Sequence, residues 1–151
     1  MILRQATVAD VPALTRLELS FPRRQRWSAD AWLQEITAED RLVQVADIDG
    51  VNAAATWQCV DDVTDLHRIA VAAGCRRAGL ARQLLTAGLE WASVSGSKRV
   101  LLEVAEDNDA AIGLYRAHGF RQIARRRDYY APGCDALMME LPLDASGLKD
   151  S

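Results

Sequence analysis

The chain has 151 residues, of which 50% are hydrophobic and 26% charged, and its formal net charge is −3. This composition suits one compact soluble domain with a sizeable core and argues against general nucleic-acid binding. The three cysteines (Cys59, Cys75, Cys134) and two histidines (His67, His118) lie far apart and share no metal-ligand spacing, so no metal is expected, and a reducing, cytoplasmic setting fits best.

The chain opens with Met1-Ile2-Leu3 running straight into polar Arg4-Gln5, which is not a signal-peptide pattern. No apolar run approaches the ~20 residues that span a bilayer, so no membrane partner is expected. Ile2 to Ala6 reads as a short strand. Thr7-Val8-Ala9-Asp10 has the capping-box form, and the helix it opens places Val11, Leu14, Leu17 and Phe21 on one face until Pro22 stops it. Arg23 to Trp27 reads as an arginine-rich surface loop. Ser28 is placed to cap a second, short helix carrying Trp32, Leu33 and Ile36.

Arg41 to Ala46 is expected as a strand, Asp47-Ile48-Asp49-Gly50 as a hairpin turn and Val51 to Val60 as the returning strand. Val63 to Val71 is the next strand. A long helix then carries Leu80, Leu84, Leu85, Leu89 and Ala92 at helical spacing and ends at Ser95-Gly96-Ser97. Arg99 to Val104 is almost wholly apolar, as suits the buried middle of a sheet. A helix over Asn108 to His118 is closed by Gly119. Phe120 to Arg127 and Ala136 to Leu141 are the last strands, joined through Tyr129 to Cys134. The order β-α-α-β-β-β-α-β-α-β-β predicts an α/β fold, a mixed sheet with helices on its faces. It forms a single domain over residues 1–143, with 144–151 a loose tail.

One stretch gathers positive charge at a helix start: Cys75-Arg76-Arg77-Ala78-Gly79-Leu80-Ala81-Arg82. A helix N-terminus already presents unpaired N–H groups and partial positive charge. Gly79 and the small Ala81 leave room for close approach, so the N–H groups from about Arg77 to Arg82 suit a pyrophosphate. The spacing is neither a P-loop nor a Gly-x-Gly-x-x-Gly motif. A solvated charged helix start remains the plainer reading of the cluster taken alone.

Arg-x-x-Gly-x-Ala, from Arg76 to Ala81, resembles the Gln/Arg-x-x-Gly-x-Gly/Ala signature of the GCN5-related N-acetyltransferase (GNAT) family. Asn108-Asp109-Ala110-Ala111, Leu114-Tyr115 and Gly119-Phe120 resemble its second signature, and the element order is similar along nearly the whole chain. The segments "RWS" at Arg26 to Ser28, "IAV" at Ile69 to Val71, "LLEV" at Leu101 to Val104 and "RRRDYYAPGCDALMMEL" at Arg125 to Leu141 resemble the RimI branch, over about residues 1 to 142. Ala72-Ala73 stands where the family commonly has Asp-Pro, and Ala81 where glycine is commoner.

The resemblance implies acetyl-coenzyme A (acetyl-CoA) as the acetyl donor. It implies that the N–H groups of Arg77, Ala78, Gly79, Leu80, Ala81 and Arg82 hold the pyrophosphate, with Arg76, Arg77 and Arg82 supplying charge to it or to the 3′-phosphate. The backbone of Ile69, Ala70 and Val71 would pair with the pantetheine arm like an added strand, a backbone N–H near Val71 would polarise the thioester carbonyl, and Asn108 would bond the donor near the thioester. Glu103 is implied as general base, through water; from the residues alone the plainer reading is a strand-end carboxylate paired with an arginine. Tyr115 is implied as the acid that protonates the departing sulfur; alone it reads as a core aromatic. Trp27 and Tyr130 are implied as acceptor contacts. His67 and His118 are expected to be structural.

The implied acceptor is the N-terminal α-amine of a protein, in the RimI branch the N-terminal alanine of the eighteenth small-subunit ribosomal protein. Amine chemistry agrees: an α-amine with pKa ~7.7–8.0 is roughly a tenth neutral at pH 7, a lysine amine at ~10.4 far less. Two alternatives stand beside it: the same fold acting on a lysine or a small amine, and a module that binds acetyl-CoA without turnover. No direct nucleic-acid partner is expected, and nothing in the sequence speaks to an oligomer.

Overall fold

A computed structural model describes residues 2–75 and 79–143. The chain runs β1 (Ile2–Gln5), α1 (Val11–Leu17), α2 (Ala29–Thr37), β2 (Arg41–Asp47), β3 (Val51–Val60), β4 (Val63–Val71), α3 (Leu80–Val94), β5 (Arg99–Ala105), α4 (Asp109–Ala117), β6 (Arg121–Ala131) and β7 (Cys134–Pro142). The strands make one mixed, 7-stranded sheet in the order β1-β2-β3-β4-β5-β7-β6. The β4–β5 pair is parallel, and β1–β2, β2–β3, β5–β7 and β6–β7 are antiparallel. This is the α/β order expected from the sequence.

Local chemistry sets the boundaries. The Thr7 N–H donates to the Asp10 carboxylate at 2.8 Å, the reciprocal half of a capping box. Ser28 Oγ accepts from Ala31 N at 3.1 Å and starts α2. The expected loop over Arg23 to Trp27 contains a 3₁₀ turn, Arg23–Gln25. The last hairpin differs more from expectation. β6 continues through Tyr129 and Tyr130 to Ala131, and only Pro132-Gly133 turns the chain, with Gly133 at φ 81°. Tyrosines favour strands. The extra length is absorbed where the register shifts between Arg126 and Ala131, around Asp128 at φ 53°.

The described residues gather into two compact units. The first takes residues up to Gln58 together with His67–Glu90. Leu14, Leu17, Trp32, Val43, Val45, Ala54 and Ala70 form its core cluster. Here α3 lies so close to β3 that a Cβ built on Gly88 would stand 1.9 Å from Trp57 Cε2. The second unit takes Cys59–Leu66 and the chain from Trp91 onward. Its β5 is flanked by β4 over Val63–Leu66 and by β7 along its whole length. Val100, Leu102, Ile112, Tyr115, Phe120, Leu137 and Met139 are buried there. No helix of the described residues is long and apolar enough to cross a membrane.

Candidate active site

In the first unit, β4 outlasts its ladder with β5. The parallel pairing covers Val63–Leu66, and β4 then runs on through Ile69, Ala70 and Val71. Ala70 is buried in the core cluster, while Ile69 and Val71 are half-buried. Ala72 N donates to Asn52 O at 2.8 Å, which holds the end of the strand to β3.

Arg76, Arg77 and Ala78 lie outside the described residues. Gly79 follows at φ 77°, a conformation that disfavours any side chain, with nothing within 4 Å of the position a Cβ would take. Gly79 is therefore required by the turn itself, besides leaving open space beside it. Among the described residues, the first hydrogen bond of α3 runs from Gln83 N to Gly79 O at 3.1 Å. The N–H groups of Leu80, Ala81 and Arg82 thus precede the helix's own ladder. The Leu80 side chain is buried, Ala81 is half-buried and Arg82 is exposed.

Trp27, also in the first unit, is half-buried and packs on Trp32, ring centroids 5.0 Å apart. Beneath it lies an ion pair the sequence did not reveal. Glu18, 1% exposed, accepts from Trp27 N (2.8 Å), from Trp32 Nε1 (3.0 Å) and from the Arg68 guanidinium. The next residue back, His67, places Nδ1 3.1 Å from Glu35 Oε1. Glu35 also accepts from Thr56 Oγ1 at 2.6 Å and pairs with Arg41 at 3.2 Å. Burial would raise the Glu35 carboxyl, but the hydrogen bonds from His67 and Thr56 and the Arg41 charge outweigh it and hold it below the usual carboxylate range. Both pairs join residues far apart in sequence. Their only sequence signal is a charge set among apolar neighbours: Glu18 between Leu17 and Leu19, and His67-Arg68 between Leu66 and Ile69.

The second unit holds Glu103, Asn108, Tyr115 and Tyr130. Glu103 lies within β5, opposite Met138 of β7. Its Oε2 is shielded from solvent and sits 3.0 Å from Arg126 Nε, a charge contact without hydrogen-bond alignment. Arg126 lies over the Tyr129 ring at 5.3 Å, and Tyr129 meets Tyr130 edge-on at 5.2 Å. The arginine partner that Glu103 invited as a plain strand carboxylate is thus present.

Asn108 caps α4: its Oδ1 accepts from Ala111 N at 3.2 Å. Tyr115 lies on α4, 7% exposed, its ring 5.8 Å from Phe120. His118 is the C-cap of that helix, with Nδ1 3.0 Å from Leu114 O. Burial and the nearby Asp107 push the Cys134 thiol up. Among the described residues no group of three or more His, Cys, Asp or Glu is placed to hold a metal ion.

The sequence pattern of the Acetyltransferase (GNAT) family matches residues 10–120. The uncharacterized protein ML0378 of Mycobacterium leprae (strain TN) is 33% identical over 151 residues, a match to 92% of this chain but only 40% of that protein's length. The [ribosomal protein bS18]-alanine N-acetyltransferase of Escherichia coli (strain K12) is 32% identical over 142 residues, covering 89% of this chain and 92% of its own. The crystal structure of the E. coli ribosomal-protein-S18-alanine N-acetyltransferase superposes with a TM-score of 0.84 at 30% identity, over 93% of this chain and 92% of that one. With the element order, the glycine-started α3 and the Asn108-capped α4 already described, these matches make the chain an acetyltransferase of the GNAT family.

Proposed function

We propose that this acetyltransferase moves the acetyl group of acetyl-CoA onto the N-terminal α-amine of a protein, and that the N-terminal alanine of ribosomal protein bS18 is its acceptor. One observation carries the acceptor: a relative matched over 92% of its own length bears that activity in its name. A ribosomal acceptor puts the reaction in the cytoplasm.

The residues suit the donor. β4 past Leu66 offers backbone groups at Ile69, Ala70 and Val71 beyond its ladder with β5, as an extended pantetheine arm requires. Gly79 leaves open space at the start of α3, and the N–H groups of Leu80, Ala81 and Arg82 stand ahead of the helical ladder, as a pyrophosphate requires. Arg76, Arg77 and Ala78 complete this set in the proposal. When bound, acetyl-CoA supplies an acetyl thioester with a good leaving group.

The chain's own residues then have three tasks. Glu103 takes the proton from the attacking amine through water; its Oε2 faces Arg126, and Oε1 is the oxygen assigned to that exchange. A backbone N–H near Val71 polarises the thioester carbonyl. The Tyr115 hydroxyl gives its proton to the departing thiolate, so one proton leaves the amine and one reaches the sulfur. Asn108 spends its oxygen on capping α4, so its amide N–H₂ is the group left to bond the donor. Trp27 and Tyr130 contact the acceptor.

The test is a panel of peptides differing in their first residue, together with free amines, with thiol release as the readout. Alanine-first peptides are expected to turn over fastest. Turnover confined to free amines would replace the reading with a small-molecule enzyme, and donor binding without thiol release on any acceptor would reduce the protein to a binding module.

A further inference from the structure

The Glu18–Arg68 pair is a buried, multiply bonded charge cluster of the first unit, and the chemistry proposed above does not use it. Glu18 is 1% exposed, and the Arg68 side chain 12%. Such a pair is costly to bury and contributes to stability only when its remaining donors and acceptors are satisfied. Here they are. The carboxylate receives Trp27 N, Trp32 Nε1 and the Arg68 guanidinium. Arg68 also donates to Gln25 O, and its guanidinium carbon sits 3.7 Å from the Phe21 ring centroid and 5.2 Å from that of Trp27. Every one of these contacts falls on residues 18–32, and most on 21–27.

That segment links α1 to α2. Within the link its bonds include Phe21 N to Glu18 O at 3.0 Å, Gln25 N to Pro22 O at 2.8 Å, Arg26 N to Arg23 O at 3.3 Å, and Arg26 Nε to Phe21 O at 2.8 Å and Nη2 to Leu19 O at 3.5 Å. Arg68 ties its backbone, at Gln25, to β4. Arg68 also directly precedes Ile69, the first of the β4 residues proposed to take the donor. We propose that Arg68 is a positioning residue for the acceptor: stacked on Phe21 and bonded to Glu18 and Gln25, it fixes the loop that presents Trp27 and so sets affinity for the incoming peptide while leaving donor affinity alone. The inference rests on the acceptor reading given above. A planar guanidinium is needed because it stacks on rings and bonds a carboxylate and a carbonyl at once, which an ammonium cannot do.

The test is Arg68→Lys, which keeps the charge opposite Glu18 and removes the fork. Circular dichroism and thermal unfolding verify that the variant is folded. Should it not fold, Phe21→Leu, which removes only the stacking surface, takes its place. The expected result is a peptide KM raised at least tenfold, an acetyl-CoA KM within about twofold of wild type, and a kcat at saturating peptide little changed. Hydrogen exchange of the Trp27 N–H, which bonds Glu18, should rise in the same variant. An active wild type whose folded variant keeps its peptide KM overturns the proposal alone. So does a parallel rise in both KM values, which is a general structural loss. A wild type that acetylates no free N-terminus removes the acceptor reading, and this inference with it.

Discussion

Gly88→Ala adds one methyl group to the middle of α3. On helix propensity alone the change stabilises, by about 1 kcal/mol. The structure reverses that sign. The added Cβ would stand 1.9 Å from Trp57 Cε2, 2.0 Å from Cζ2 and 2.5 Å from Nε1. Carbon atoms in contact sit ~3.5–4.0 Å apart, so the helix or the indole must move by well over an ångström. Trp57 is 0% exposed, and its ring is rigid. Overpacking of this kind takes the upper part of the ~1–3 kcal/mol range. Less the propensity gain, about 2 kcal/mol of destabilisation remains. For a chain of this size that lowers Tm by ~4–8 °C. The same displacement moves the start of α3, so acetyl-CoA affinity should weaken as well. Urea unfolding with an unchanged m-value measures the first effect and calorimetric titration the second. In a Trp57→Phe background, which removes part of the offending ring, the cost of Gly88→Ala should shrink by ~1 kcal/mol or more. A Gly88→Ala protein as stable as wild type, or more stable, would refute the packing argument.

Tyr115→Phe removes one oxygen from a buried ring; kcat should fall by ~10²–10⁴ with little change in KM, the usual worth of a positioned acid. Wild-type turnover in that variant would reduce Tyr115 to packing against Phe120. Glu103→Gln should slow turnover too, and raising the pH past the α-amine's ~7.7–8.0 should relieve part of the defect, because the amine then sheds its proton unaided; a pH–rate profile parallel to wild type would remove the base role. Asp10 titrates below the usual carboxylate range, chiefly because Arg4 hydrogen-bonds it. A carboxyl lowered on folding stabilises above its unfolded pKa of ~3.9, and that contribution fades as pH falls through the lower folded value. Asp10→Asn should therefore lower Tm at pH 7, with the gap to wild type closing below about pH 4; a gap independent of pH would show that the charge is not its source.

Local signals carried most of the fold. β4 runs over Val63–Val71 as expected, and α2 starts where Ser28 invites a cap. Local signals failed where two effects competed. Tyr129 and Tyr130 look like loop residues because Pro132-Gly133 follows, yet their strand preference carries β6 up to Ala131. Of the proposed site, the glycine-started α3 was legible, because a glycine at a helix start leaves a sequence trace, whereas the Asn108 cap was not read from the sequence. The partners were not. Glu18 with Arg68 and Glu35 with His67 are separated by 50 and 32 residues, and only the tertiary fold brings such pairs together. The same holds for Gly88, which in sequence is merely a poor helix former and in the fold is the one residue small enough to pass Trp57.

The central claim, transfer to an N-terminal α-amine, is tested most directly within one molecule. A peptide with a free N-terminal alanine and an internal lysine is incubated with the protein and acetyl-CoA, and tandem mass spectrometry locates the added acetyl group. The account predicts that it sits on the alanine α-amine and that a peptide with a blocked N-terminus gains none. Acetylation of the lysine, with the α-amine left free, would contradict it.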